Sequence, residues 1–114
     1  KSAGEIAAEV ADLAERARQG RLLPADVAGG TFTLSNLGPF GIEQFTAILN
    51  PGQVGILAVG AAQPEPLVVG EALAIRPLMH FTLSVDHRVV DGAAAALFMA
   101  DLKAALEAPG VIVY

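Results

Sequence analysis

The chain has 114 residues, of which 54% are hydrophobic and 17% are charged, with a net charge of −5 and no cysteine. This length bounds it to one domain or part of one. The absence of cysteine excludes a disulfide scaffold, a cysteine-ligated metal site and a cysteine nucleophile, and the negative charge argues against nucleic acid or an anionic membrane as a partner.

The first 30 residues predict one long helix and a short helical turn. Ser2 and Glu5 have the spacing of a capping box, and apolar residues then recur at intervals of three and four. These signals predict an amphipathic helix over about residues 3 to 18, with Gly20 ending it. Pro24 can open a single further turn before the next pair of glycines.

The middle of the chain predicts strands around a less regular segment. Residues 31 to 37 are rich in β-forming residues, and residues 41 to 50 are expected to contain a turn or two of helix. Residues 54 to 62 are almost all apolar, which is typical of a strand covered on both faces and too short for a membrane helix of about 20 residues. The Gln63-Pro64-Glu65-Pro66 segment is expected to form a turn, and a short hairpin should then reverse at Gly70-Glu71.

The last third of the chain predicts a strand and a helix. Residues 78 to 87 alternate as a strand does, with His80 and His87 on opposite faces. These two histidines are therefore not expected to bind one metal ion together, and no metal site is expected. Helical spacing returns over residues 92 to 107, and residues 111 to 114 are expected to form a final strand.

The corner between that strand and that helix carries the residues best placed for chemistry. His87 ends the strand, and Asp91 follows four residues later as the expected N-cap of the helix. A rigid corner of this kind can present an imidazole to a cleft, where it can act as a general base. A histidine near an aspartate is more often a structural hydrogen-bonding pair, and the spacing alone does not decide between the two roles.

The order of elements gives an α/β (α+β) architecture of two layers, a mixed sheet packed with helices. The start of the chain does not look like a signal peptide. The chain does not begin with Met, so we expect a piece of a longer protein. Its apolar excess lies mainly from residue 54 onward and in the alanine-rich last helix. This excess is too large for an ordinary polar monomer.

Three longer strings follow one another in the chain: GTFTLSNLGPFGIEQF from Gly30, NPGQVGILAVGA from Asn50 and DHRVVDG from Asp86. Together they resemble the catalytic domain of dihydrolipoamide acyltransferases, the core subunits of 2-oxoacid dehydrogenase complexes. The resemblance covers essentially the whole chain and places residues 1–114 in the C-terminal half of that single domain, without the lipoyl and peripheral-subunit-binding domains. It implies a chloramphenicol-acetyltransferase-like fold.

The resemblance implies roles for three residues. His87 matches the family's catalytic histidine, which takes a thiol proton as an acyl group passes between dihydrolipoamide and coenzyme A, so that no enzyme cysteine is needed. Ser35 matches the hydroxyl that stabilises the oxyanion; without the resemblance, a serine that ties down the turn before Gly38 is the better interpretation. Asp91 matches an acidic or amide position, for which an indirect role is expected.

The charged residues around the histidine and further along the chain are assigned no chemistry. Asp86 and Arg88 flank His87 and are expected to form an ion pair with a structural role. From residue 31 onward the basic residues are Arg76, Arg88 and Lys103. These are few for the phosphates of coenzyme A, so the residues that bind it are not identified.

The acyl group is a further expectation. The SNLGPFG string and the NPGQ turn favour an acetyltransferase of a pyruvate dehydrogenase complex, with a branched-chain 2-oxoacid complex as the alternative. A non-catalytic core scaffold and a standalone His-x-x-x-Asp acyltransferase are two other interpretations. The presence of His87 and Ser35 argues against the first, and the three strings argue against the second.

The resemblance also implies an assembly. Members of the family form homotrimers whose active sites take the histidine and the serine from different chains, and the trimers build a larger core. The expected partners are a 2-oxoacid decarboxylase and dihydrolipoamide dehydrogenase, with the lipoyl group carried on a domain outside this chain. The expected compartment is the bacterial cytoplasm, or the mitochondrial matrix in a eukaryote.

Overall fold

The computed structural model describes residues 1–111 in two units, one formed by residues 1–30 with those from 97 onward and the other by Thr31–Ala96. The helices are α1 (Ala3–Arg18), α2 (Pro24–Val27) and α3 (Gly92–Glu107), with 3₁₀ turns at Gly38–Phe40 and Pro109–Val111. The strands are β1 (Thr33–Asn36), β2 (Gly55–Val59), β3 (Gln63–Val69), β4 (Ala72–Leu78) and β5 (Phe81–Val85). The final strand expected at residues 111–114 lies outside the described residues apart from Val111, which ends the second 3₁₀ turn.

Local signals in the first unit predict its two helices correctly. The backbone N–H of Glu5 donates to Ser2 Oγ at 3.2 Å, and the N–H of Ser2 donates to the Glu5 carboxylate at 2.6 Å, which completes the capping box of α1. The guanidinium of Arg16 then joins α1 to α2 through Asp26, at 2.5 and 3.2 Å. The single turn opened by Pro24 is confirmed as α2.

The second unit is organised around a three-stranded mixed sheet in which β2 is the central strand. It runs parallel to β1 on one side and antiparallel to β5 on the other. Ile56, Leu57 and Ala58 of β2 are at most 5% exposed and form the buried apolar core of the described residues. The predicted strand with both faces covered is therefore confirmed.

The segment before β2 corrects one prediction. Residues 41 to 50 contain no helix and no strand, and half-buried side chains at Phe45, Ala47 and Leu49 alternate with exposed ones at Thr46, Ile48 and Asn50. This alternation is the period of two of an extended chain. The segment passes so close to the end of β2 that a Cβ built on Gly60 would lie 1.8 Å from the carbonyl oxygen of Glu43.

The hairpin corrects a second prediction. The expected turn at Gln63-Pro64-Glu65-Pro66 is the first half of strand β3, which pairs with β4 along its whole length. Prolines fit here because they stand at positions of the ribbon where a backbone N–H is not needed for pairing. The reversal at Gly70-Glu71 is confirmed, with Gly70 at φ +63°.

The strand that leads to the candidate site is shorter than predicted. Residues 78–87 were expected to form one strand, but Leu78 ends β4, and β5 covers only Phe81–Val85. His80 lies between the two strands and His87 lies in the turn after β5. The expectation that the two histidines occupy opposite faces of one strand is therefore wrong, because neither of them is part of a strand.

Candidate active site

His87 lies in a turn that backbone hydrogen bonds hold at the end of β5. The N–H of Asp86 donates to the carbonyl of Val54 at 2.9 Å, which fixes the start of the turn to the residue preceding β2. The carbonyl of Asp86 then accepts from the N–H groups of Val89 and Val90, at 3.0 and 2.9 Å. The side chain of His87 is consequently carried, exposed, on a backbone that is anchored on both sides.

The carboxylate of Asp86 and the guanidinium of Arg88, on either side of His87 in the chain, form an ion pair in this turn. Arg88 Nε donates to Asp86 Oδ1 at 2.9 Å and Arg88 Nη2 donates to Asp86 Oδ2 at 2.7 Å, in a bidentate pair. The N–H of Arg88 also donates to Asp86 Oδ1 at 3.0 Å. These hydrogen bonds lower the pKa of Asp86 to about 2 and raise that of Arg88, so the predicted ion pair is confirmed.

Asp91 begins α3 as its N-cap. Its Oδ1 accepts a hydrogen bond of 2.7 Å from the N–H of Ala94, three residues on, which is the bond expected of a capping aspartate. The predicted capping role is confirmed. The side chain is thus held at the start of the helix, four residues after His87.

Ser35 lies near the end of β1, half-buried and level with two residues of the neighbouring strands. It is opposite Ala58 of β2, and Ala58 is opposite Thr82 of β5. The turn that follows β1 is held by Asn36, whose Oδ1 accepts from the N–H of Gly38 at 2.9 Å. Within residues 1–111 no hydrogen bond is formed by the Ser35 hydroxyl, so tying down that turn is the task of Asn36.

The structure does not bring Ser35 and His87 together in one chain. Thr82 marks the level of Ser35, and β5 continues from Thr82 to Val85 before the turn that carries His87. At about 3.3 Å per residue this is about 10 Å along the sheet, and the two strand spacings from β1 to β5 add about 10 Å across it. The two side chains therefore lie at opposite ends of the sheet, beyond hydrogen-bonding reach.

A group of polar side chains that the sequence analysis did not single out lies at the His87 end of the sheet. Thr33 Oγ1 donates to Gln53 Oε1 at 2.6 Å and accepts from Asn50 Nδ2 at 2.7 Å. These bonds fasten the Asn50–Gln53 turn to β1, next to Val54, which accepts the bond from Asp86. The NPGQ string contained the signal, because its two amide side chains flank a Pro-Gly turn.

The described residues show two further features of the site. Residues 1–111 contain no cluster of three acidic, histidine or cysteine side chains able to hold a metal ion. Arg76, Arg88 and Lys103, the basic residues considered for phosphate, lie on β4, on the turn after β5 and on α3. Across these residues we also find no helix of the length and hydrophobicity needed to span a membrane.

Comparison with known proteins connects these features to one family. The family model for the catalytic domain of 2-oxoacid dehydrogenase acyltransferases matches residues 1–114. The acetyltransferase component of the pyruvate dehydrogenase complex of Zymomonas mobilis is 46% identical over 109 residues, which are 96% of this chain and 25% of that protein. The chain thus spans about a quarter of the length of this curated relative.

Two solved structures show the same fold. One is dihydrolipoamide acetyltransferase of Azotobacter vinelandii, which matches with a TM-score of 0.88 at 44% identity, over 93% of this chain and 44% of that one. That structure comes from a crystallographic and enzymatic investigation of the role of a serine, a histidine and an asparagine in its catalytic mechanism. The other is the cubic core of a pyruvate dehydrogenase multienzyme complex, with a TM-score of 0.88 at 43% identity, over 93% and 44% of the two chains.

Proposed function

The chain belongs to the family of 2-oxoacid dehydrogenase acyltransferase catalytic domains, and on this premise we propose that its protein transfers an acetyl group between dihydrolipoamide and coenzyme A. Residues 1–114 are the C-terminal part of the catalytic domain, and the lipoyl group is carried on another domain. The complex is a pyruvate dehydrogenase complex, in the bacterial cytoplasm or in the mitochondrial matrix of a eukaryote. The name of the Zymomonas mobilis relative supports this choice over a branched-chain complex.

In the proposed reaction, His87 is the general base. Neutral imidazole takes the proton of the coenzyme A thiol as its sulfur attacks the thioester carbon, because a thiol with a pKa of about 8.5 is mostly protonated at neutral pH. The tetrahedral intermediate then expels the dihydrolipoyl sulfur, which receives the same proton from the imidazolium. Acyl transfer is direct between the two thiols and needs no enzyme cysteine.

Ser35 supplies the hydrogen bond to the oxyanion of that intermediate. Its hydroxyl is available for this task because Asn36 holds the adjacent turn. The Azotobacter vinelandii acetyltransferase supports the assignment: the serine and the histidine studied there are 52 positions apart, as Ser35 and His87 are, and the asparagine follows that histidine by four. Asp91 stands at this third position and acts indirectly, by capping α3 beside His87.

The observation that carries the proposal is the separation of Ser35 and His87 across the sheet. Because one chain cannot bring the two side chains to one thioester, a complete site needs the serine of one chain and the histidine of another. A trimer provides three such sites in a closed ring. The cubic core of the similar multienzyme complex supports a larger assembly of trimers, to which a 2-oxoacid decarboxylase and dihydrolipoamide dehydrogenase would bind.

Mixing two inactive variants tests this arrangement. Ser35→Ala and His87→Ala are made in the full-length protein, and each alone should have almost no transferase activity. Random assembly of equal amounts should give sites with a native serine and a native histidine in about one quarter of cases. The randomly assembled population should therefore recover about a quarter of wild-type turnover, and each mixed trimer, with one complete site of its three, about a third. No recovery in trimers shown to be mixed would contradict the shared site, and an inactive wild type would support the non-catalytic scaffold.

A further inference from the structure

The side chain of Thr33 is bonded to both amide side chains of the turn that precedes β2. Its Oγ1 donates to Gln53 Oε1 at 2.6 Å and accepts from Asn50 Nδ2 at 2.7 Å. A hydroxyl has a single proton to donate, and in Thr33 that proton is directed to Gln53. The hydroxyl therefore holds the turn at its first and last residues.

The turn from Asn50 to Gln53 has a well-defined backbone of its own. The N–H of Gln53 donates to the carbonyl of Asn50 at 3.0 Å, with Pro51 and Gly52 at the two central positions. Gly52 has a φ of +82°, which is typical of the second central position of a type II turn, and proline is common at the first. Because the turn is stiff, its attachment to Thr33 also places the residue that follows it.

That following residue is Val54, which provides an acceptor for the turn that carries His87. The carbonyl of Val54 accepts from the N–H of Asp86 at 2.9 Å. The register between β2 and β5 begins at Gly55, so this bond lies one residue beyond the paired strands. The position of the Val54 carbonyl consequently depends on how its two neighbours, Gln53 and Gly55, are held.

Two successive residues, Phe32 and Thr33, hold these neighbours of Val54 on opposite faces of the sheet. Thr33 holds Gln53 through its hydroxyl. The register of β1 with β2 places Phe32 level with Gly55, and a Cβ built on Gly55 would lie 2.6 Å from Phe32 Cε2. The ring of Phe32 therefore lies against the backbone of Gly55. The carbonyl of Val54 is thus fixed from both sides.

We propose that Thr33 is a positioning residue for His87, acting through the Asn50–Gln53 turn and the carbonyl of Val54. This inference rests on the proposed function, in which His87 is the general base. A general base must lie within about 2.6 to 3.2 Å of the group whose proton it takes. A displacement of about 1 Å can cost a factor of about 10² in rate. Thr33 needs no contact with the substrates for this task.

The position of Thr33 on β1 argues against an action through Ser35. Ser35 is two residues further along the strand and on the same face. Two residues of strand span about 7 Å, which is beyond hydrogen-bonding reach. The proton of the Thr33 hydroxyl is also already used by Gln53. An effect of Thr33 on turnover should therefore pass through the turn and not along the strand.

Removal of the hydroxyl in the full-length protein tests the positioning role. Thr33→Val keeps the branched shape of the side chain and should lower kcat by about 10- to 100-fold, with little change in the KM for coenzyme A. Thr33→Ser keeps the hydroxyl and should retain most of the wild-type turnover. Thr31→Val is the matched control, because Thr31 is an exposed threonine two positions earlier. A Thr33→Val variant as fast as this control, or one altered only in KM, would overturn the proposal.

A second substitution tests whether the effect passes through the turn. Gln53→Met removes the acceptor of the Thr33 hydroxyl, leaves β1 unchanged and should lower kcat by about as much as Thr33→Val. If both changes break one interaction, the double variant should be no slower than the slower single variant. Losses that multiply in the double variant, or a Gln53→Met variant at the wild-type rate, would overturn an action through the turn.

Hydrogen exchange at Asp86 measures the positioning without catalysis. Its amide donates to Val54 and should exchange about tenfold faster in Thr33→Val, because two hydrogen bonds that hold the turn are lost. The amide of Ser84, which faces Ile56 within the paired strands, should exchange as in the wild type. If Thr33→Val fails to assemble, Gln53→Met provides the same comparison.

The two readouts separate this inference from the proposed function. Faster exchange at Asp86, together with wild-type turnover in His87→Ala, would refute the proposed function and leave the placement of the turn by Thr33 standing. Unchanged exchange at Asp86, in an enzyme that loses its activity with His87, would refute only the positioning by Thr33.

Discussion

Ser35 and His87 lie at opposite ends of the same three-stranded sheet: the serine is level with Thr82, and the histidine follows the end of β5 at Val85. Both belong to one unit of the structure, so the separation is a property of the sheet itself. A single chain holds both of the proposed groups and still cannot use them on one thioester. Activity should consequently follow the concentration of assembled protein.

Removal of the imidazole should have the largest effect on the rate. His87→Ala should lower the turnover of acetyl transfer from acetyl-dihydrolipoamide to coenzyme A by at least the factor of about 10² to 10⁴ that is typical of a lost general base. The remaining rate should lie near the limit of detection. Stopped-flow or coupled assays on the full-length protein measure this loss. His80→Ala is the control, because this histidine lies at the base of the hairpin, before β5. Turnover of the His87 variant close to wild type would contradict the mechanism.

Removal of the hydroxyl should be less severe. Ser35→Ala should reduce turnover by about 10² to 10³, the usual effect of losing one oxyanion donor, with little change in the KM for coenzyme A. The exposed hydroxyl of Thr46 provides a matched control, and Thr46→Ala should leave turnover unchanged. A Ser35 variant that lost only affinity for its substrates would show that the hydroxyl binds the ground state instead.

Two substitutions at Asp91 separate helix capping from an acidic role. Asp91→Ala should lower the free energy of unfolding by about 0.5 to 2 kcal/mol, because the N–H of Ala94 loses its acceptor. Asp91→Asn keeps a capping oxygen and should keep both stability and most of the activity. Denaturant unfolding and turnover are measured on the same samples. A stable Asp91→Asn variant without activity would show that the negative charge is required.

The Asp86–Arg88 pair should make stability sensitive to acid. The pKa of Asp86 is lowered to about 2 from the ordinary 3.8, so its ion pair stabilises the fold above about pH 4 and the contribution is lost as the pH falls toward 2. Arg88→Met should remove this contribution, so that the variant is less stable at neutral pH and loses less stability between pH 4 and 2. Unfolding midpoints measured against pH test the prediction. Parallel pH curves for variant and wild type would show that the pair does not stabilise the turn.

Short-range signals in the sequence predicted the helices of this chain well. Ser2 with Glu5 and Asp91 with Ala94 are caps whose two partners lie three residues apart, so the sequence contains the whole interaction. The strand at Gly55–Val59 was also predictable, because burial on both faces requires an unbroken apolar run. These elements depend on residues that are neighbours in the chain.

The errors fall where distant residues decide the structure. The segment before Pro51 was expected to contain helix, but it forms none. Its side chains at Phe45, Ala47 and Leu49 are half-buried while those between them are exposed, and its backbone at Glu43 lies against Gly60. The Gln63–Pro66 segment was expected to turn, but its partner strand of matching length, ending at Leu78, makes it a strand. In both cases the residues that decide the structure, Gly60 and strand β4, lie outside the segment itself, so the local sequence pattern cannot reveal them.

The candidate site shows the same division. The ion pair of Asp86 with Arg88 was predictable because only one residue, His87, separates its partners. The opposite placement of Ser35 and His87 was not predictable from their spacing, because it depends on β1 running parallel and β5 antiparallel to β2. The resemblance implied a site shared between chains, and the strand order gives the geometric reason for it.

The crossing at Gly60 sets a limit on how this sequence can diverge. With the carbonyl oxygen of Glu43 lying 1.8 Å from where a Cβ would stand, even alanine would require the backbone to move. In a saturation library selected for growth, codon 60 should therefore tolerate glycine alone, as strictly as codon 87 tolerates histidine. Position 60 would be intolerant for steric reasons, and a survey that ranks positions by mutational tolerance would rank Gly60, which has no side chain, as high as His87.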